Sequence, residues 1–306
     1  MPLPTSPVIR RARLGAELRQ LRRQGALTLE QVCGRLGWAS TSKLSRIELG
    51  QSRPDLADVL DLLDVYQVPD TQRDALIVIA RDAATGRGWW KSLSEMGERQ
   101  RVYAELEAGA ATILEYQPAL VPGLLQTPAY ARARIEAGRW TDPGVDVDAD
   151  VRARMARQEV LRRAHPPRYT AVLTETAVDL VGVPPEVRSE QLRHLVDLGA
   201  LPNVSIRVLP HGASLPADPL TPFSSYSFPD PADPRTVMLE TLTSDVRLVA
   251  EPNLDRYAQL VDWLVGAALD EERSAELLTA RAGTERSGEP TRAVAPSPRS
   301  PVPGHG

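Results

Sequence analysis

Between Thr28 and Gly50 two short helical patterns are set off by glycines, and this punctuation limits the local fold more than any other stretch of the chain. Thr28 followed three residues later by Gln31 is a capping-box pair, in which a hydroxyl and a side-chain amide satisfy each other's backbone N–H groups and fix a helix start. That helix carries Leu29, Val32 and Leu36 on one side, and Gly37 closes it. Ser40 is placed to cap a second helix, Thr41–Leu49, with Leu44 and Ile47 as its apolar edge and Gly50 as its stop. Cys33 supplies a small residue where the two helices cross, and Trp38 joins the apolar back. The outer face of the second helix is left with Thr41, Ser42, Lys43, Ser45 and Arg46. Apolar residues behind, a glycine at the turn and small or hydrogen-bonding groups outside are what a helix-turn-helix needs to lay its second helix in a DNA major groove. The amides that follow Thr28 and Ser40 are placed as phosphate donors, and Arg53 and the arginines of the preceding helix as phosphate contacts.

The flanking sequence extends this unit to an all-α domain of five helices over residues 8–84. Ile9–Arg23 puts Leu14, Leu18 and Leu21 on one stripe and ends at Gly25. Pro54 and Asp55 open a fourth helix with Leu56, Leu60 and Leu63 inward, and Asp70 or Thr71 opens a fifth through Leu76, Ile77 and Ala80.

The formal net charge of the 306 residues is −4, which taken alone argues against a polyanionic partner. Divided by segment the balance reverses. Residues 1–54 hold ten basic groups against Glu17, Glu30 and Glu48, a net of +7, so the remainder carries −11. Each phosphate that the basic segment neutralises releases counterions and steepens the salt dependence of binding. The acidic remainder is expected to restrain non-specific binding, so that residues 1–88 alone bind random DNA more tightly than the intact chain.

From about Trp89 to Gly283 the pattern changes to an α+β domain. Glu98–Tyr116, Thr127–Gly138, Asp148–Ala164, Glu186–Leu198 and Asn253–Leu269 have helical composition and period. Tyr169–Leu173, Val204–Leu209, Ser224–Phe228, Val237–Glu240 and Val246–Ala250 read as strands, and their close succession predicts a mainly antiparallel sheet. Gly86–Gly88 marks the joint, and Trp89 and Trp90 are expected to pack the domains together. The predicted organisation is 1–88, 89–283 and a disordered Pro/Ser/Gly-rich tail over 284–306. Pro118–Leu125, apolar and broken by prolines, suits core, pocket wall or partner surface.

Several classes are disfavoured. A single cysteine, Cys33, excludes an intramolecular disulfide framework and a multi-cysteine metal site. The four histidines have no partners at ligand spacing, so no metal or other cofactor is expected. Ser40-Thr41-Ser42-Lys43 matches the spacing of some acyl-enzymes but lacks their companion motifs, and Glu175 with Asp179 reads as a solvated helix face, so no enzymatic activity is expected. The most apolar long window, Leu260–Leu269, contains Asp262; neither membrane span nor export signal is expected, and the cytoplasm fits best.

Leu14-Gly15-Ala16-Glu17-Leu18-Arg19, Thr28-Leu29-Glu30-Gln31-Val32, Leu36-Gly37-Trp38 and Ser42-Lys43-Leu44-Ser45-Arg46-Ile47-Glu48 together resemble the five-helix domain of xenobiotic-response-element-type regulators, relatives of phage repressors. The turn Trp38-Ala39-Ser40-Thr41-Ser42 is one residue longer than is usual there. Tyr116–Thr127, Tyr130-Ala131-Arg132-Ala133, Gln191-Leu192-Arg193-His194-Leu195 and Pro202-Asn203-Val204 resemble the C-terminal domain of an actinobacterial, antitoxin-like regulator group. The resemblance implies a sequence-specific transcriptional regulator, a homodimer on a two-fold operator in double-stranded DNA, and a C-terminal domain that takes a small partner protein or a small-molecule effector. An alternative it implies is an antitoxin-like module whose main work is holding a small protein, with DNA binding for autoregulation. It also suggests that Glu48 accepts from a helix-1 arginine, Arg22, and so fixes the reading helix against the first one.

Overall fold

A computed structural model describes residues 5–84, 96–139, 144–179, 182–214, 221–241 and 244–283. Trp89, Trp90, the joint at Gly86–Gly88 and the tail 284–306 lie outside the described residues. The first unit holds α1 (Pro7–Gln24), α2 (Leu29–Leu36), α3 (Thr41–Glu48), α4 (Leu56–Val65) and α5 (Asp70–Ala84). Local chemistry sets the starts: Ser6 Oγ accepts from the Ile9 amide, Thr28 and Gln31 complete the capping box, and Asp55 accepts from Ala57. Gly37, at φ 67°, closes α2 in the left-handed conformation.

Leu14, Leu18, Val32, Cys33, Leu44, Ile47, Val59, Leu62, Leu63, Leu76 and Ile79 form one core. Leu60 and Ile77, expected inward, are only half-buried; α4 and α5 turn Val59, Leu62 and Ile79 into the core in their place. The end of α1 also differs from expectation. Gly25 keeps an ordinary φ of −76° and Ala26 takes the left-handed position at 52°, so the turn residue is one later than the glycine suggests. Gly15 has the clearest steric role. A Cβ there would stand 2.5 Å from the Ile47 carbonyl oxygen, so α1 and α3 cross backbone against backbone.

The second unit runs α6 (Glu98–Gly109), β1 (Thr112–Gln117), α7 (Pro128–Gly138), α8 (Val147–Gln158), β2 (Arg168–Thr174), α9 (Glu175–Asp179), α10 (Pro185–Gly199), β3 (Val204–Leu209), β4 (Phe223–Ser227), β5 (Thr236–Glu240), β6 (Asp245–Leu248), α11 (Glu251–Ala267) and α12 (Glu271–Gly283). The predicted helix Glu98–Tyr116 is therefore two elements. It ends at Gly109, where a Cβ would lie 2.2 Å from the Ser6 nitrogen, and the alternating segment beyond it becomes β1. The sheet order is β3-β2-β1-β4-β5-β6. The sheet is mixed and mostly antiparallel: β1–β4, β4–β5 and β5–β6 pair antiparallel, whereas β1–β2 and β2–β3 are parallel. The parallel pairs correct the expectation of a simple meander, because helices fill the connections between β1, β2 and β3 and return the chain to the same edge.

One sheet face, with Ile113, Tyr169, Leu173, Ile206, Val208 and Met238, is covered by Leu192, Leu195 and Leu278 from α10 and α12 and by Leu124 and Leu125. Pro118–Leu125 thus contributes core through Val121, Leu124 and Leu125. The opposite face, with Tyr116, Val172, Phe223 and Val237, packs on Leu254 and Leu264 of α11. Ile9, from the first turn of α1, is fully buried in the core of the first face. Helix α1 therefore belongs to both units: its start to the sheet's core and its remainder to the helical one.

Candidate nucleic-acid interface

The turn between α2 and α3 holds Gly37, Trp38, Ala39 and Ser40, and α3 starts at Thr41. Ser40 has the extended backbone of an N-cap, but its side chain makes no capping bond, which corrects the expected role of its hydroxyl. The first amides of α3 are left for other acceptors, the condition in which a helix start can bind phosphate. Thr28 is exposed, with its hydroxyl committed to the capping box at 3.2 Å from the Gln31 nitrogen. Along α3, Ser42, Lys43 and Arg46 are exposed, Thr41 and Ser45 half-buried, and Leu44 and Ile47 buried, so the polar candidates share the outward side.

They are not equally free. Lys43 Nζ sits 2.6 Å from Asp58 Oδ1 and 4.4 Å from the centre of the Trp38 ring, so the turn and α4 hold it. Arg46 makes no ion pair among the described residues. The orientation of α3 is set from below. Arg22 donates from Nε and Nη2 to Glu48 Oε1 and Oε2 at 2.6 and 2.8 Å, and from Nη1 to the Leu27 carbonyl at 2.9 Å. The hydrogen bond to Glu48 raises the Arg22 guanidinium above its ordinary value. One side chain so ties α1, the α1–α2 turn and the end of α3 together. Cys33 Sγ lies 3.6 Å from the Ser40 carbonyl, and burial pushes its thiol up, which suits a core residue better than a reactive one.

The basic excess is distributed differently from expectation. Arg10 and Arg13 reach Asp230 and Asp233 in the β4–β5 connection, with Arg13 Nη1 2.5 Å from Asp230 Oδ2. Arg11 Nη2 is 2.6 Å from Glu105 Oε2 on α6, and Arg53 Nη2 is 3.8 Å from the other oxygen of that carboxylate. Arg10, Arg11 and Arg13 therefore face the sheet unit, a correction to their expected phosphate contacts; the same helix face that reads as basic meets carboxylates brought from far along the chain. Asp230 is held below its usual range by the Ala232 amide and by Arg13. Arg19, Arg23, Arg35 and Arg46 are exposed and make no ion pair among the described residues. Arg19 and Arg23 line a groove of about 640 Å³ shared with Leu49, Arg247 and Val249.

The carboxylates that hold this seam, Glu105, Asp230 and Asp233, were not legible in the sequence, since nothing local pairs them with α1. Glu175 and Asp179, read there as a solvated face, are gathered by Arg281 of α12, with His211 Nε2 3.4 Å from Glu175. Among the described residues no group of three or more His, Cys, Asp or Glu side chains could hold a metal ion, and no helix is long and apolar enough to cross a membrane.

A short outward helix seated on a turn and fixed by a bidentate ion pair is the geometry of a helix-turn-helix unit, which suggests a DNA-binding regulator. A family model of helix-turn-helix domains matches residues 13–76. A second model, described as a domain of unknown function, DUF5753, matches residues 100–280, more than half of the chain, and the chain belongs to that family. No curated protein and no solved structure matches the chain.

Proposed function

We propose that this chain is a sequence-specific transcriptional regulator of the xenobiotic-response-element type, with a phage-repressor-like reader over 1–88 and a regulatory domain over 89–283. Helix α3 docks in the major groove, with Thr41, Ser42, Ser45 and Arg46 toward base edges, Lys43 and Arg53 on phosphates, and the protein binds as a homodimer on a two-fold operator. The chain works in the cytoplasm, as a binding protein and not an enzyme. The observation that carries this reading is the outward face of α3, where Arg46 stands exposed and outside any ion pair among the described residues while Glu48 beneath is clamped by Arg22.

Genome-wide mapping of bound sites supplies the operator, and gel shifts on it test the residue. Arg46→Ala is expected to weaken specific binding by about tenfold to a hundredfold, the loss of about 1–3 kcal/mol that one good base contact carries. Wild-type affinity in that variant sinks the assignment.

The acidic restraint expected from charge now has named carriers. Glu105 neutralises Arg11 and Arg53, so Glu105→Gln in the full chain releases the Arg53 guanidinium toward DNA. Non-specific binding to random DNA is expected to tighten at low salt, and the slope of log K against log salt to steepen by about one unit per phosphate gained. An unchanged slope rejects this restraint. The full chain suits the test better than residues 1–88 alone, because removing the sheet unit also uncovers Ile9.

A further inference from the structure

The sheet face that α10 and α12 cover, and that α6 and α8 meet at its other end, changes character along its length. Toward β3 it is apolar, but at the carboxyl end of β1 it carries Glu115 and Gln117. A pocket of about 190 Å³ opens there, walled by α6, α8 and the segment after β1. That segment is Pro118–Leu125, which the sequence left open between core and pocket wall; Leu120, Val121 and Gly123 line the opening. The pocket lies beside the strand at which the order turns from β2 and β3 to β4, β5 and β6, a kind of position where open sheets hold ligands.

Two buried polar atoms at this pocket have no hydrogen-bond partner among the described residues, Tyr103 Oη and Arg154 Nε. Buried polar atoms are nearly always satisfied in folded proteins, so two orphans lining one opening point to something that completes them. The charges narrow what that is. Arg99 is spent on Asp245, which it grips from Nε and Nη2, and Arg157 on Glu107, 3.0 Å from its Nε. Burial pushes the Glu115 carboxyl up to about 8, so it carries a proton at neutral pH. Arg154 and Glu240 remain, one cation and one carboxylate on the lining, neither in an ion pair among the described residues. Arg154 Nη1 donates to Gln126 Oε1 at 2.8 Å and to no other acceptor among the described residues, and the fields of Asp150 and Glu240 reach it. Burial and the neighbouring Arg157 lower its guanidinium to about 10, which leaves it charged.

We infer that this pocket binds a small zwitterion of the α-amino-acid class, with its carboxylate on Arg154, its ammonium toward Glu240 and its remaining polar atoms on Tyr103 Oη and Gln117. The volume corresponds to about six waters at about 30 Å³ each. It is below the roughly 300–1,000 Å³ of sites for drug-sized ligands, which suits a small amino acid better than a nucleotide. The route to the reader is short: α6 lends Arg99, Gln100 and Tyr103 to the pocket, while its Glu105 holds Arg11 and Arg53. That the ligand acts as an effector rests on the regulatory function proposed above; that it binds does not.

Calorimetry and thermal melting of the full chain test it, with the proteinogenic L-amino acids as zwitterionic probes, propionate as the anion alone and propylamine as the cation alone. At a hundredfold excess over Kd at least one amino acid is expected to raise Tm by about 5 °C, and neither single-charge probe to do so. Arg154→Gln and Glu240→Gln are each expected to weaken that binding at least about tenfold. The inference is overturned if no amino acid binds at about 10 mM, a concentration that detects even a millimolar Kd. It is also overturned if propionate or propylamine binds as tightly as the best amino acid, or if both variants bind like the wild type. Should Arg154→Gln fail to fold, the three probe classes on the wild type and Glu240→Gln still decide. None of these measurements contains DNA, so a negative result leaves the reader assignment standing, and failed operator binding leaves the pocket standing.

Discussion

Arg22→Ala is expected to destabilise the helical unit by about 3–5 kcal/mol, the cost of leaving a buried carboxylate without its cation. Glu48 is the carboxylate in question. Only 4% of its side chain is exposed, against 12% for Arg22, and both of its oxygens accept from the one guanidinium. Gly15 brings the α1 backbone against the Ile47 and Glu48 carbonyls, while Glu48 also lines the open groove of about 640 Å³, so water entering there holds the cost to the lower end of that range. The same variant loses the Arg22 bond to the Leu27 carbonyl, so the turn into α2 loosens as well. Glu48→Gln separates charge from shape. It keeps one acceptor for the guanidinium and should cost less than Arg22→Ala, while operator affinity falls because α3 is no longer held at one angle. Urea unfolding followed by helical circular dichroism gives the stabilities, and gel shifts give the affinity. If both variants match the wild type in both measurements, the pair is an ornament of the fold and α3 is positioned by its apolar back alone.

That pair was readable from the sequence only with the family resemblance beside it, and the contrast with other positions shows what sequence can carry. The capping box at Thr28 and Gln31, the glycine at 37 and the span of α3 are local: each depends on residues within a few positions, and the structure places them where the spacing does. β1 was hidden because Thr112–Gln117 follows directly on a helical pattern; Gly109, the last residue of α6, is a local stop signal, but its close approach to Ser6 is tertiary and not readable from spacing. The parallel pairing of β1, β2 and β3 depends on where α7, α8 and α10 return the chain, again a tertiary matter. For the interface the residue types on α3 were legible, but their availability was not. Lys43 leans on Asp58, and Arg53 shares Glu105 with Arg11, 94 residues from that glutamate along the chain. Charge summed over 1–54 marked a basic segment and could not say which arginines pair with the other unit and which stand outside any ion pair among the described residues.

Glu115→Gln is expected to remove most of a pH dependence from the stability of the sheet unit. Glu115 sits in β1 with 4% of its surface exposed, accepts a hydrogen bond from Tyr169 Oη, and is held at a pKa of about 8. Burial is the main cause, and Glu107 of α6 and Glu240 of β5 add to it, while Tyr169 of β2 and Arg157 of α8 pull the other way. In the unfolded chain the same carboxyl titrates near its model value of 4.5. Between these values the native state keeps a proton that the unfolded state has released, so the unfolded state binds fewer protons and stability falls as pH rises. The contribution is complete below about pH 4.5, declines by up to about 1.4 kcal/mol per pH unit, and is lost once pH passes about 8. Glutamine keeps the shape and an acceptor for Tyr169 without a titrating proton. The variant should therefore equal the wild type near pH 5 and exceed it by about 2–4 kcal/mol at pH 8. Subtracting the two urea-unfolding curves across pH 5–9 cancels groups that titrate in both proteins, including His194, whose pKa burial depresses. A flat difference would mean that Glu115 is ionised in the folded chain, and its carboxylate would then have to find a cation that its present neighbours, with Arg157 already committed to Glu107, do not provide.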